Sequence, residues 1–192
     1  MPDFEDHALR LARMVEEDAP GRFDAIVAVR RGGSYVCDAF CRYFPKDLYG
    51  TRYDVALQRP STRHKKGWLG NILKRLPVAL LDVMRMAESV MLSCRRKTRS
   101  VSPSAYVEIP ADLKSLLQGL RNPSILIIDD AIDSGDTLSA LSGTLTGTNP
   151  GAIIRIAVMT LTTSCPRIGA DYALYRNRTL IRFPWSNDYK KR

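Results

Sequence analysis

The sequence predicts an α/β protein, a parallel sheet flanked by helices, and three observations predict it. Ile125–Ile128 is an unbroken aliphatic run after the turn signal Asn122-Pro123, the signature of a strand buried on both faces. Asp24–Val29 and Ile153–Met159 are two more strands of the same character. Stretches with helical spacing of apolar residues alternate with them, so the order βα–βα–(insertion)–βα–β calls for a Rossmann-like sheet with ligands at the carboxyl ends of its strands.

Each element follows from local chemistry. Residues 3–17 read as an amphipathic helix, with Asp3 as cap and Phe4, Ala8, Leu11, Ala12 and Val15 on one face, ended by Pro20-Gly21. After the strand at 24–29 come Arg30-Arg31-Gly32-Gly33 and a helix from Ser34 to about Phe44, with Cys37, Phe40, Cys41 and Phe44 as its apolar stripe. Both thiols in that stripe read as small hydrophobes. Residues 47–57 alternate weakly and are the next strand candidate; Tyr106–Ile109 is a shorter one. Pro110 opens a helix over 111–120. Leu138, Leu141 and Leu145 give the face of a helix that starts at Thr137 and ends near Gly147–Gly151. Tyr172–Tyr175 and Leu180–Phe183 are expected to pair as short strands.

The totals fit one domain of 192 residues, with 58–105 as a basic, partly helical insertion and 170–192 as a C-terminal hood. No run of about 18 apolar residues occurs, so no membrane helix is expected, and the acidic start lacks a signal-peptide core. Cys37, Cys41, Cys94 and Cys165 form no CxxC pair and His7 and His64 stand apart, so no zinc site is expected and a cytoplasmic location is. The net charge of +9 is concentrated: residues 59–99 hold eleven Lys or Arg against Asp82 and Glu88, which is 11 − 2 = +9.

Two turns have the chemistry of phosphate sites. In Asp129-Asp130-Ala131-Ile132-Asp133-Ser134-Gly135-Asp136-Thr137, an acidic pair closes the buried strand and a hydroxyl- and glycine-bearing turn opens a helix. Unpaired N–H groups at a helix start, with the helix dipole behind them, favour an anion by roughly 0.3–1 kcal/mol. Gly135 allows close approach, and Ser134 and Thr137 add hydroxyl donors. The acids would repel that anion, so they point to sugar hydroxyls or to Mg²⁺ held through water; together the features suggest a phosphorylated sugar. In Arg30-Arg31-Gly32-Gly33, successive N–H groups can form a nest and an arginine can grip a diphosphate; a tight turn with a solvated arginine pair is the plainer alternative.

The segment from Ile125 to Thr137 resembles the PRPP-binding motif of the type I phosphoribosyltransferases: four aliphatics, two acids, two aliphatics, then small and hydroxyl residues around a glycine. Ala131 is a soft departure, where a larger aliphatic or Ser is usual. The resemblance implies the type I fold, PRPP as substrate with Mg²⁺, and a transfer that releases pyrophosphate. It implies that Asp129 and Asp130 contact ribose and its metal through water, that Asp133 takes or relays the acceptor proton, and that Ser134, Gly135, Asp136 and Thr137 bind the 5-phosphate. Arg31, Gly32 and Gly33 resemble the pyrophosphate loop, in which the peptide before the arginine–glycine pair is often cis.

The tail Phe183-Pro184-Trp185 resembles the base-binding end of the xanthine–guanine-type members, where the tryptophan stacks on the purine. One departure bears on the acceptor. The lysine that 6-oxopurine enzymes place before this tail is missing from Thr160–Arg167, where a threonine hydroxyl or Arg167 is the available substitute.

Residues 58–105 occupy the place of the family's mobile catalytic loop. Trp68, Leu69, Ile72, Leu73 and Leu76, then Leu80, Leu81, Met84, Val90 and Met91, recur at helical spacing on either side of Pro77, between two basic tracts. Three uses are open: a dimerising insertion, a surface for nucleic acid or another polyanion, and a basic cover for PRPP. Two main readings of the chain follow. One is a phosphoribosyltransferase acting on a purine-like base, commonly a homodimer in this family; the other is a PRPP-sensing regulator that binds RNA or DNA through residues 59–99.

Overall fold

A computed structural model describes residues 2–19, 21–56, 107–176, 183 and 185. The chain divides into two compact units, Met1–Leu57 with Tyr106–Ile181, and Gln58–Ala105 with Arg182–Arg192. The expected insertion helices and both basic tracts lie outside the described residues, and of the second unit only Phe183 and Trp185 are described.

In the first unit the elements are α1 (Pro2–Asp18), β1 (Phe23–Val29), α2 (Gly32–Tyr43), a short 3-10 turn (Lys46–Leu48), β2 (Tyr49–Val55), α3 (Ala111–Gly119), β3 (Ser124–Ile132), α4 (Asp136–Thr148), β4 (Ile153–Leu161) and β5 (Tyr172–Tyr175). The five strands form one sheet in the order β2-β1-β3-β4-β5, and every neighbouring pair is parallel. The chain moves outward from β1 to β2, then returns to place β3 on β1's other edge. β1 and β3 therefore flank the topological switch point, where open α/β sheets bind their ligands.

The central strands are apolar because both of their faces are covered. Ala25, Val27, Ile125, Ile127, Ile156 and Val158 pack with Leu113 and Leu117 of α3 and Leu138, Leu141 and Leu145 of α4 in one cluster. Ile26, Leu126 and Ile128 alternate to the other face, and α1 and α2 supply the buried residues Leu11, Val15, Val36 and Phe40. Complete burial of a Leu, Ile or Phe side chain is worth about 1.5–3 kcal/mol each, which makes this double layer the main source of stability.

Several elements depart from the sequence expectation. α1 begins at Pro2 instead of after an Asp3 cap, in keeping with proline's fitness for a first helical turn. β3 does not stop before the acids. It runs through Asp129 and Asp130 to Ile132 because β4 offers it a continuous ladder, Asp129 opposite Val158 and Ile132 opposite Leu161. Val107–Pro110 form no strand; Val107 is buried in the core and Pro110 has no N–H to donate. Tyr172–Tyr175 pairs in parallel with β4, Ala157 opposite Tyr172, and so extends the main sheet; Leu180–Arg182 are outside the described residues.

Candidate functional site

The arginine–glycine turn and the acidic pair meet at the switch point. β1 and β3 are in register, Ala28 opposite Ile128, so the residues after Val29 emerge beside Asp129 and Asp130. The Arg30–Arg31 peptide is cis, the geometry that the resemblance implied for this loop. Arg30 N donates to Val55 O at 2.9 Å, which ties the loop to the end of β2. A β-carbon on Gly33 would stand 2.5 Å from Ile128 O and 2.9 Å from the Asp129 Cα, and one on Gly32 would stand 1.9 Å from Asp130 Oδ2. Gly33 is needed for the start of α2 to rest on the backbone of β3, and Gly32 leaves room for the Asp130 carboxylate.

An open cleft of about 260 Å³ lies beside this loop, lined by Arg30, Arg31, Ser34, Tyr35 and Asp38. Arg30 and Arg31 are exposed there. Behind them Arg52 of β2 bonds to Asp38 and, at 3.3 Å, to Asp54, while the Ser34 hydroxyl donates to Asp54 Oδ1. Arg52 is engaged by both carboxylates, and the cleft's exposed cations are Arg30 and Arg31.

The two acids differ in environment. Asp129 is buried, and its Oδ1 accepts from Asp130 N at 2.9 Å. Burial, with the charge of Asp130 next in weight, pushes its carboxyl well above the usual carboxylate range. Asp130 is half-exposed against Gly32. Two adjacent carboxylates, one of them desolvated, are hard oxygen donors in want of a cation, so they fit Mg²⁺. Among the described residues no third His, Cys, Asp or Glu joins them, so water and substrate oxygens would complete such a shell.

The second turn is clamped from β4's side. Gly135 has φ +76°, a conformation natural to glycine, and its carbonyl accepts from Ser139 N at 2.9 Å to begin α4. Its open side is filled by backbone, with a β-carbon there only 3.0 Å from Ile168 N and 3.1 Å from Arg167 N. Arg167 N donates to Ser134 O at 2.9 Å, and its guanidinium sits 3.3 Å from Asp136 Oδ1. Ser134 Oγ accepts from Asp136 N at 3.2 Å. Asp133 is exposed, and its Oδ1 accepts from the Thr162 hydroxyl at 2.6 Å. Arg167, and Thr162 among the threonines that the sequence offered for the missing lysine's role, are thus bound to the turn at 133–137 itself.

The predicted residues therefore fall into two groups. Arg31, Gly32, Gly33, Asp129 and Asp130 converge at the switch point, with Asp133, Ser134, Gly135, Asp136 and Thr137 following at the end of β3 and the start of α4. Phe183 and Trp185 belong to the second unit, where their rings stack at 4.9 Å and 9° and Phe183 is buried. The Arg52, Asp38 and Asp54 network was not visible in the sequence, since only the register of β2 on β1 brings it under α2.

Fold and site define an α/β protein whose arginine–glycine turn and acidic pair meet at a sheet switch point. The chain belongs to the phosphoribosyl transferase domain family, whose model matches residues 1–167. That membership makes it a phosphoribosyltransferase, an enzyme that moves phosphoribose from PRPP to a nitrogenous base. Solved structures share the fold at low identity. The purine phosphoribosyltransferase of Pyrococcus horikoshii Ot3 is 16% identical with a TM-score of 0.55, over 98% of this chain and 92% of that one. A hypoxanthine-guanine phosphoribosyltransferase of Bacillus anthracis is 14% identical with a TM-score of 0.54, over 91% and 76%. A hypoxanthine phosphoribosyltransferase of Staphylococcus aureus is 14% identical with a TM-score of 0.53, over 94% and 76%. Comparison with curated proteins gave no match.

Proposed function

We propose that this phosphoribosyltransferase uses a purine-like base as acceptor and works with Mg²⁺. The observation that carries the reading is the direct apposition of Gly32 in the arginine–glycine loop to Asp130 in the acid pair, which brings a diphosphate grip and a ribose site to one place. The names of the three fold relatives and the stacked Phe183–Trp185 pair support a purine-like acceptor.

In this reading Arg31 and the N–H groups of Gly32 and Gly33 hold the diphosphate, and the start of α4 with Ser134 and Thr137 holds the 5-phosphate. Asp129 and Asp130 orient the ribose hydroxyls. Asp129 and Asp130 would hold Mg²⁺ through water, and the ion would offset part of the charge on the diphosphate and on the acid pair. The base nitrogen bonds to the anomeric carbon as the carbon–oxygen bond to pyrophosphate breaks, and the nitrogen's proton passes to Asp133. Trp185 stacks the base. No helix among the described residues is long and apolar enough to cross a membrane, and Cys37, Cys41 and Cys165 are free thiols, which fits the reducing cytoplasm. Family membership favours the transferase over a PRPP-sensing regulator, and a homodimer is the assembly we expect.

The test is a calorimetric titration of PRPP with Mg²⁺ into wild type and an Asp129→Asn/Asp130→Asn variant, then a pyrophosphate-release assay with hypoxanthine, guanine, xanthine and adenine. Binding lost in the variant and turnover with one base are the expected results. Binding without turnover on any of the four would overturn the purine reading.

A further inference from the structure

β3 and β4 run in register to their ends, Ile132 opposite Leu161, so the next residues, Asp133 and Thr162, leave the sheet side by side. Thr162 is fixed first by its backbone, whose N–H donates to Ile132 O at 3.0 Å. Its hydroxyl then lies 2.6 Å from Asp133 Oδ1 and 3.2 Å from Ile132 O. Asp133 is exposed, so without a partner its short side chain would sample several rotamers. Thr162 holds one oxygen, and Oδ2 makes no hydrogen bond to any described residue.

A fixed Oδ1 matters for a group that gains and loses its proton on Oδ2. With Asp133 ionised, Thr162 donates to Oδ1. When Oδ2 takes the base's proton, Oδ1 stays a carbonyl acceptor and Thr162 goes on donating to it. The contact survives in both states.

We propose that Thr162 is a positioning residue for proton transfer, anchoring Oδ1 of Asp133 so that Oδ2 is presented to the acceptor base. This rests on the transferase reading above. Thr162→Val keeps the shape and removes the hydroxyl; Thr162→Ser keeps the hydroxyl. With PRPP, Mg²⁺ and the base that wild type turns over, Thr162→Val should lower kcat about tenfold, a modest part of what general-base catalysis contributes. The KM for PRPP and the melting temperature should stay at wild-type values, and Thr162→Ser should recover most of the rate. A Thr162→Val enzyme with wild-type kcat overturns the role. So does a loss of kcat accompanied by a lower melting temperature that Thr162→Ser fails to correct, which marks a structural residue. Absence of wild-type turnover on all four bases is a separate result: the purine reading falls, and this role with it.

Discussion

Gly32 lies so close to Asp130 that a β-carbon on the glycine would stand 1.9 Å from the carboxylate oxygen Oδ2. The obstacle is the end of a mobile side chain, so Gly32→Ala should displace the carboxylate and leave the backbone in place. PRPP affinity measured calorimetrically with Mg²⁺ should fall at least about tenfold, about 1.4 kcal/mol, while the melting temperature hardly moves. Wild-type affinity in that variant would show that Asp130 does not need its place against the loop.

One residue later the balance reverses. A β-carbon on Gly33 meets Ile128 O at 2.5 Å and the Asp129 Cα at 2.9 Å, and neither is free to swing aside. Gly33→Ala should destabilise the fold by about 1–3 kcal/mol, the usual cost of overpacking, through a forced shift of α2 from β3. Urea unfolding should show a lower midpoint with an unchanged slope. An unchanged midpoint would contradict the packing.

The buried Asp129 sets a pH dependence. Its folded-state carboxyl titrates well above the ordinary 3.8, with burial the first cause. A raised carboxyl contributes stability that is complete below the ordinary value and is lost as pH rises through the folded one. Asparagine is neutral throughout, and its Oδ1 can keep the bond from Asp130 N. In EDTA, Asp129→Asn should therefore melt higher than wild type at pH 8, with the gain closing as pH falls toward 4. Parallel melting curves across that range would refute it.

The thiols of Cys37 and Cys41 lie 3.8 Å apart on successive turns of α2. The hydrogen bond from Cys37 stabilises a Cys41 thiolate and brings its pKa down to about 7, whereas the same bond together with burial pushes Cys37 upward. Iodoacetamide should therefore modify Cys41 before Cys37, with a rate that rises through about pH 7. Cys37→Ala should move that rise toward the ordinary 9.0. Peptide mass spectrometry separates the sites, and modification of Cys37 first would reverse the assignment.

What the sequence made legible was chemistry carried by neighbours along the chain. Ile125–Ile128 announced a buried strand, and Gly135 announced a turn of close backbone approach before α4, because both depend on local sterics and polarity. Register is different. The sequence around Arg52 does not reveal that Phe23 pairs with Tyr49, yet that pairing places Arg52, with its same-strand neighbour Asp54, within reach of Asp38. The sequence offered a threonine hydroxyl in place of a missing lysine without choosing among Thr160, Thr162 and Thr163, and the partner of Thr162, 29 positions earlier, is fixed only by where β3 and β4 end together. The extra length of β3 has the same origin: turn chemistry after Ile128 suggested an end, and a neighbouring ladder carried the strand on to Ile132.

The strand order also constrains how the protein is made. β1 can pair with β2 soon after both are synthesised, but its other edge waits for β3, which begins at Ser124. At ordinary translation speeds the intervening stretch of about seventy residues takes roughly 4–14 s to emerge. For those seconds the nascent chain presents an apolar central strand with one open edge, the template on which foreign strands pair. The geometry that brings two distant turns to one switch point thus leaves the half-synthesised chain with an edge that needs shielding from other chains.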